Sequence, residues 1–103
     1  MTNHNHTPIA LITGGSRGLG RATALALADA GVDVIVTYNS HEHEAREVVT
    51  AIESKGRRAA ALKLDTTDRA SFETFVETVH RELPDGRFDI LINNAGTALY
   101  SAL

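Results

Sequence analysis

Short apolar runs alternate with longer amphipathic stretches along this chain from Ile9 onward. The runs IALIT and DVIVTY are rich in β-branched residues and apolar at nearly every position, which is typical of strands covered on both faces. FDILIN is a third such run, whereas AAALKLD is weaker because alanine has a low preference for strands. We therefore predict four strands, at residues 9–13, 33–38, 59–65 and 88–93.

The stretches between these runs carry apolar residues at helical spacing, which predicts three helices. The first is expected over residues 18–30. The second is expected from a capping residue at Ser40 to residue 55, and the third from residues 67–68 to the residue before Pro84. Strands and helices that alternate in this way are typical of an α/β fold, in which right-handed crossovers place the strands in one parallel sheet.

The chain has 103 residues, enough for one small domain and too few for two. We expect residues 1–7 to be a flexible terminus and residues 8–103 to form the domain. The formal charge of −3 is spread along the chain without a basic stripe, which argues against nucleic-acid binding. No apolar run approaches the ~20 residues that cross a bilayer, the N-terminus does not resemble a signal peptide and cysteine is absent. We therefore predict a cytoplasmic protein with no membrane partner.

The loop TGGSRGLG, residues 13–20, joins the first predicted strand to the first predicted helix. Gly14, Gly18 and Gly20 suit a tight turn in which the backbone takes positive φ and a ligand approaches the main chain closely. The following helix would direct unpaired N–H groups and the positive end of its dipole at the loop, which favours a diphosphate. The loop therefore predicts a dinucleotide site, and the alternative is that the glycines only form a tight connection.

Two further motifs follow the glycine loop, whose spacing is T-G-x-x-x-G-x-G. Asp65 ends the third predicted strand, and N-N-A-G, residues 93–96, begins at the last residue of the fourth. In these three motifs the chain after Thr7 resembles the short-chain dehydrogenase/reductase family. The resemblance implies a Rossmann-type parallel sheet with strand order 3-2-1-4 and helices on both faces, an incomplete doubly wound domain.

The resemblance also implies which residues hold the cofactor. Backbone groups of the glycine loop would line the phosphates, Asp65 would accept from the adenine amino group, and Asn93, Ala95 and Gly96 would border the ribose and nicotinamide. Two alternatives stay open: Asp65 could cap the third helix, and Asn93 with Asn94 could be ordinary turn residues. The predicted cofactor-binding residues are Gly14, Ser16, Arg17, Gly18, Leu19, Gly20, Tyr38, Asn39, Ser40, Asp65, Thr66, Asn93, Ala95 and Gly96.

The end of the second strand favours NADP over NAD. A site that prefers NAD usually places an acid there to hold the ribose hydroxyls, and this chain has Tyr38, Asn39 and Ser40 instead. Arg17 in the glycine loop could reach a 2′-phosphate, and Asn39 or Ser40 could donate to it. The alternative is that Arg17 is a solvated surface residue.

The resemblance implies hydride transfer between NADP(H) and a carbonyl or alcohol substrate, with a serine, a tyrosine and a lysine as the catalytic residues beyond N-N-A-G. Tyr100 has no lysine four residues after it, and Lys55 and Lys63 fall in the second helix and third strand, where solvated charge is the expected role. We therefore predict no catalytic residue in this chain and no activity by itself. We also predict no metal, because HEHE at residues 41–44 lacks two histidines on one helix face.

Three interpretations remain. The favoured one is the cofactor-binding half of an oxidoreductase, truncated, cleaved or completed by a missing C-terminal half as a second polypeptide. The others are a nucleotide-binding module that does not catalyse, and an interaction module that uses the fold as a scaffold. In the favoured interpretation the fourth strand lies at the sheet edge without lysine or proline within Ile90, Leu91 and Ile92, so we expect self-association there.

Overall fold

The computed structural model describes residues 7–65, 67–83 and 88–94. The predicted site residues Thr66, Ala95 and Gly96 lie outside these ranges, as does most of the predicted N-terminal segment. Strands and helices alternate in the predicted order: β1 (Ile9–Thr13), α1 (Gly18–Asp29), β2 (Asp33–Tyr38), α2 (Glu42–Glu53), β3 (Ala59–Lys63), α3 (Arg69–Glu82) and β4 (Ile90–Asn93).

The four strands form one sheet in the order β3-β2-β1-β4, and all three pairings are parallel, which confirms the predicted fold class. In register, Ala10 of β1 lies between Val34 of β2 and Ile90 of β4. The carboxyl ends of β1 and its two neighbours therefore meet at one edge of the sheet. This edge is where ligands bind in open α/β sheets.

Both faces of the central strands are buried, because successive side chains of a strand point to opposite sides. Ile12 and Val36 pack on one face against α1 and α2, and Leu11 and Ile35 pack on the other against α3. The buried helix residues on the first face are Ala24, Ala28, Ala45, Val48 and Ile52, and those on the second are Phe75 and Val79. The sheet and its helices thus form a three-layer core that leaves the carboxyl edge open. None of the helices within the described ranges is long and apolar enough to span a bilayer.

The prediction that Ser40 caps the second helix is wrong. Helix α2 begins at Glu42, and His41 occupies the capping position without a side-chain cap bond. Ala45 N donates to His41 O at 3.0 Å, so the helical hydrogen bonds begin at His41. The hydroxyl of Ser40 lies 3.4 Å from His41 Nδ1 and, within the described residues, is not bonded to a backbone N–H of the first turn.

The two outer strands are shorter than predicted. Strand β3 ends at Lys63, because Asp65 turns back to accept hydrogen bonds from Thr67. Strand β4 begins at Ile90, and Asp89 before it bonds Ile9 twice, through its backbone N–H at 2.8 Å and its carboxylate at 3.0 Å. Both differences concern strand ends, and the pairing itself is as predicted.

Candidate cofactor site

The glycine loop is anchored to the neighbouring strand β2. Gly14 N donates to the hydroxyl of Thr37 at 3.0 Å, and Gly15 N donates to the carbonyl oxygen of Thr37 at 3.2 Å. Gly14 and Gly18 have φ values of 70° and 58°, in the left-handed region that only glycine adopts readily. Thr37 is only 2% exposed, so its hydroxyl is a fixed acceptor, and this role of Thr37 was not predicted.

A second group of contacts holds the start of α1 against the loop. A Cβ at Gly20 would lie 2.4 Å from Gly14 O and 2.7 Å from Asn94 Nδ2, so no side chain fits there. Asn94 Nδ2 itself donates to Gly14 O at 2.8 Å. The loop, the helix start and the residue after β4 therefore meet without space between them. At Gly20 the close neighbours are protein atoms, and the predicted close approach of a ligand there stays a prediction.

A cleft of about 590 Å³ opens beside the loop at the carboxyl edge of the sheet, a volume within the usual range for small-molecule sites. It is lined by Gly14, Ser16, Arg17, Gly18, Leu19, Tyr38, Asn39, His41 and Asn94. Seven of these nine were predicted, and His41 and Asn94 were not. Gly20 is buried behind the loop, and Ser40, Asp65 and Asn93 are not among the lining residues.

The charges around the cleft suit an anion. The described residues that line it include no aspartate or glutamate, and the first turn of α1 has no acidic residue. The first N–H groups of an α-helix lack partners within the helix, so those of α1 face the loop region as donors. Arg17 is exposed at the rim. In the first turn of α2, Glu42 is paired with Arg46 at 2.7 Å, and Glu44 lies 4.0 Å from His41 Nε2.

Asp65 lies at the end of the β3 segment and shapes the turn that follows. Its carboxylate accepts from the Thr67 hydroxyl at 2.7 Å and from Thr67 N at 2.9 Å. These two bonds, the hydroxyl first, lower the pKa of Asp65 below its ordinary value. Asp68, not Asp65, caps α3 by accepting from Ala70 N at 3.0 Å. The alternative that Asp65 caps the third helix is therefore wrong. The contact of Asp65 with adenine stays a prediction.

The two asparagines after β4 have different partners. Asn93 Oδ1 accepts from the hydroxyl of Thr13 at 3.0 Å, which ties the ends of β4 and β1 together. Asn94 reaches Gly14 and lines the cleft. The partners of both side chains lie 80 residues away, which differs from the local bonds of ordinary turn residues. The predicted contact of Asn93 with the cofactor ribose stays a prediction.

Within the described ranges, no group of three or more acidic or histidine side chains could hold a metal ion. His43 instead pairs with Glu47 at 3.2 Å along the outer surface of α2. His41 Nε2 lies 4.0 Å from Glu44, and its Nδ1 lies 3.4 Å from the hydroxyl of Ser40. His41 also lines the cleft.

A family model described as short chain dehydrogenase matches residues 8–102, which is nearly the whole chain. This chain belongs to the short-chain dehydrogenase/reductase family. The fold and the three motifs agree with this membership, because the glycine loop, Asp65 and the asparagines all lie toward the carboxyl edge of a parallel sheet ordered 3-2-1-4.

Similar curated proteins and solved structures are each longer than this chain. The short-chain dehydrogenase/reductase FrzI of Cladobotryum sp is 42% identical over 89 residues, covering 86% of this chain and 34% of FrzI. A short chain dehydrogenase of Burkholderia cenocepacia, solved with NADP, is 43% identical with a TM-score of 0.78, covering 92% of this chain and 38% of that one. A blue fluorescent protein from a metagenomic library, solved with NADPH, is 40% identical with a TM-score of 0.76, covering 89% of this chain and 37% of that one. The chain spans between 34% and 39% of the curated relatives it matches.

Proposed function

We propose that residues 8–103 form the dinucleotide-binding domain of an NADP(H)-dependent short-chain dehydrogenase/reductase. In the whole protein, the reaction would be hydride transfer between NADP(H) and a carbonyl or alcohol substrate. The observation that carries this proposal is the cleft beside the glycine loop, because seven predicted cofactor residues line it and none of the lining residues is acidic.

The residues present suit the parts of a dinucleotide. The turn from Gly14 to Gly20 places glycine backbone next to the N-terminus of α1. A diphosphate bound there would accept hydrogen bonds from backbone N–H groups. Ser16, only 7% exposed at the base of the loop, adds a hydroxyl to this part. Asp65, ionised at neutral pH, would accept from the adenine amino group. A bound nicotinamide would supply or receive the hydride.

The proposed preference for NADP rests on the residues at the end of β2 and on Arg17. Tyr38 and Asn39 line the cleft at the end of β2, where a site for NAD usually has an acid, so no carboxylate at this end of the strand repels a 2′-phosphate. Arg17 lines the same cleft, and a guanidinium is the side-chain group best suited to bind a phosphate in two-point contact. The two neighbours solved with NADP and NADPH support the same assignment.

Calorimetric titration of the protein with NADPH and NADH tests the proposal. We expect tighter binding of NADPH. Titration with ADP-ribose and its 2′-phosphorylated form provides the control, because these two ligands differ in the phosphate and lack the nicotinamide. Equal affinity for the two ligands of each pair, or tighter binding of NADH, would contradict the assignment of NADP.

A further inference from the structure

The chain has two lysines, and the structure gives them different surroundings. Lys55 at the end of α2 pairs with Asp29 of α1 at 2.8 Å, on the outer surface of the protein. Lys63, the last residue of β3, lies in register with Tyr38 of β2. Solvated charge was the expected role for both, and for Lys63 that expectation is incomplete.

Lys63 reaches from β3 to the segment that follows β2. Its Nζ donates to the backbone carbonyl of Asn39, lies 3.5 Å from Asn39 Oδ1, and lies 6.0 Å from the centre of the Tyr38 ring. Tyr38 and Asn39 are the two cleft residues at the end of β2. One ammonium group therefore contacts both residues that form this wall of the cleft.

These contacts determine which group of the Asn39 side chain is available to bind a ligand. A carboxamide has an oxygen that only accepts and an NH2 group that only donates. Because the ammonium of Lys63 faces Asn39 Oδ1, the NH2 group is left free to donate to another acceptor. Asn39 is exposed, so without this contact its side chain would sample several rotamers, and ordering it on binding would cost conformational entropy.

From this geometry we propose that Lys63 is a positioning residue for cofactor selection. It fixes the backbone and the amide of Asn39 so that the NH2 group donates to the 2′-phosphate of NADP. Lys63 acts through Asn39 and does not itself contact the cofactor. The inference rests on the proposed function, since it assigns a residue to the adenosine end of that same cleft.

Lys63→Met tests the inference, because methionine keeps the apolar stem and removes the donor. We expect the affinity for NADPH to fall by about three- to tenfold, the effect of losing one well-placed hydrogen bond, with the affinity for NADH unchanged within about twofold. Lys63→Arg should retain most of the preference. Lys55→Met is the matched control and should change neither affinity.

A double variant separates positioning from direct contact. In an Asn39→Ala background the amide is absent, so adding Lys63→Met should not lower the preference for NADPH further. A further loss of the same size would mean that Lys63 contacts the phosphate directly, and equal losses for NADPH and NADH would mean a purely structural role. Either result overturns the inference.

The wild-type titration distinguishes failure of this inference from failure of the proposed function. Wild-type protein that prefers NADPH, together with a Lys63→Met variant of unchanged preference, overturns the role of Lys63 alone. Wild-type protein with no preference for NADPH overturns both.

Discussion

Asn94 donates from its Nδ2 to the carbonyl oxygen of Gly14 at 2.8 Å, and this bond joins the two ends of the described chain across 80 residues. The bond lies beside Gly20, at the point where loop, helix and β4 are in closest contact. The carbonyl of Gly14 is thereby fixed, and the N–H of Gly14 is fixed by Thr37. The peptide groups on both sides of Gly14 are held by Thr37 of β2 and by Asn94, the residue after β4, which keeps the loop in one conformation.

Replacing Asn94 with alanine should therefore weaken the glycine loop. We expect Asn94→Ala to lower the free energy of unfolding by about 1 kcal/mol, the net worth of a typical hydrogen bond, and to weaken NADPH and NADH to a similar degree. Thermal melts and titrations measure the two effects. Asn39→Ala is the comparison, since it should affect NADPH alone. An Asn94→Ala variant with wild-type stability and affinity would show that the bond does not order the loop.

The close approach at Gly20 gives a sharper test. Gly20→Ala places a methyl carbon 2.4 Å from Gly14 O, so either the loop or the helix must move. We expect a loss of about 1–3 kcal/mol in stability, as for an overpacked core, and strongly reduced binding of both cofactors. Ala22→Ser, at an exposed position in the same helix, should leave both unchanged. Wild-type binding by Gly20→Ala would mean that the loop accommodates the methyl group at no cost.

Arg17 should discriminate between the two cofactors. Arg17→Ala removes a charge-assisted contact to the 2′-phosphate that is worth about 1.5–3 kcal/mol, so NADPH binding should weaken by roughly 10- to 100-fold while NADH binding hardly changes. Arg21→Ala, which removes an exposed arginine one turn further along α1, is the control. Equal losses for NADPH and NADH would assign Arg17 to supporting the loop instead.

The sheet and the glycine loop could be predicted because their signals are local. Runs such as IALIT and DVIVTY are apolar on both faces, and this requires helices on both sides of a parallel sheet. The glycines of the loop could be assigned because positive φ and close approach exclude other residues. Positive φ is decided within the turn itself, so Gly14 and Gly18 need no distant partner, whereas the close approach at Gly20 involves Asn94 after β4.

The contacts that complete the site could not be predicted, because they join residues far apart in sequence. Lys63 and Asn39 are 24 residues apart, and Asn94 and Gly14 are 80 apart. Strand register determines which lysine reaches the segment after β2. The residues next to Lys55 and Lys63 in the sequence do not indicate which of the two it is.

The turn after β3 should respond to pH through Asp65. Because bonds from Thr67 lower the pKa of this carboxyl, the turn is most stable above the ordinary aspartate pKa, and this stabilisation is lost as the pH falls through the lower, folded-state value. Thr67→Val removes the hydroxyl donor and keeps the N–H, so the pKa of Asp65 should rise toward its ordinary value. A carboxyl NMR titration measures it. Thr67→Ser keeps the donor and should leave the pKa low, and an equal rise in both variants would contradict the role of the hydroxyl.

Strand β4 is the part of the sheet where we expect self-association. Among the described strands it pairs only with β1, and Ile90, Leu91 and Ile92 are each half-buried. Soluble proteins usually protect a sheet edge with lysine, proline or a bulge, and β4 contains no lysine or proline. We therefore expect the 103-residue chain to associate with itself along this strand.

Leu91→Lys should reduce that association, because a charged side chain on an edge strand disfavours pairing with another strand. Leu91 also packs against the apolar cluster under α3, so the substitution removes some packing in addition. Val76→Lys is the matched control: Val76 belongs to α3 and not to the edge strand, but it packs against the same cluster, so its replacement should lower stability without reducing association. Sedimentation velocity across a concentration series measures the outcome. A wild-type chain that sediments as a monomer and melts cooperatively would show that β4 is protected from pairing by another means.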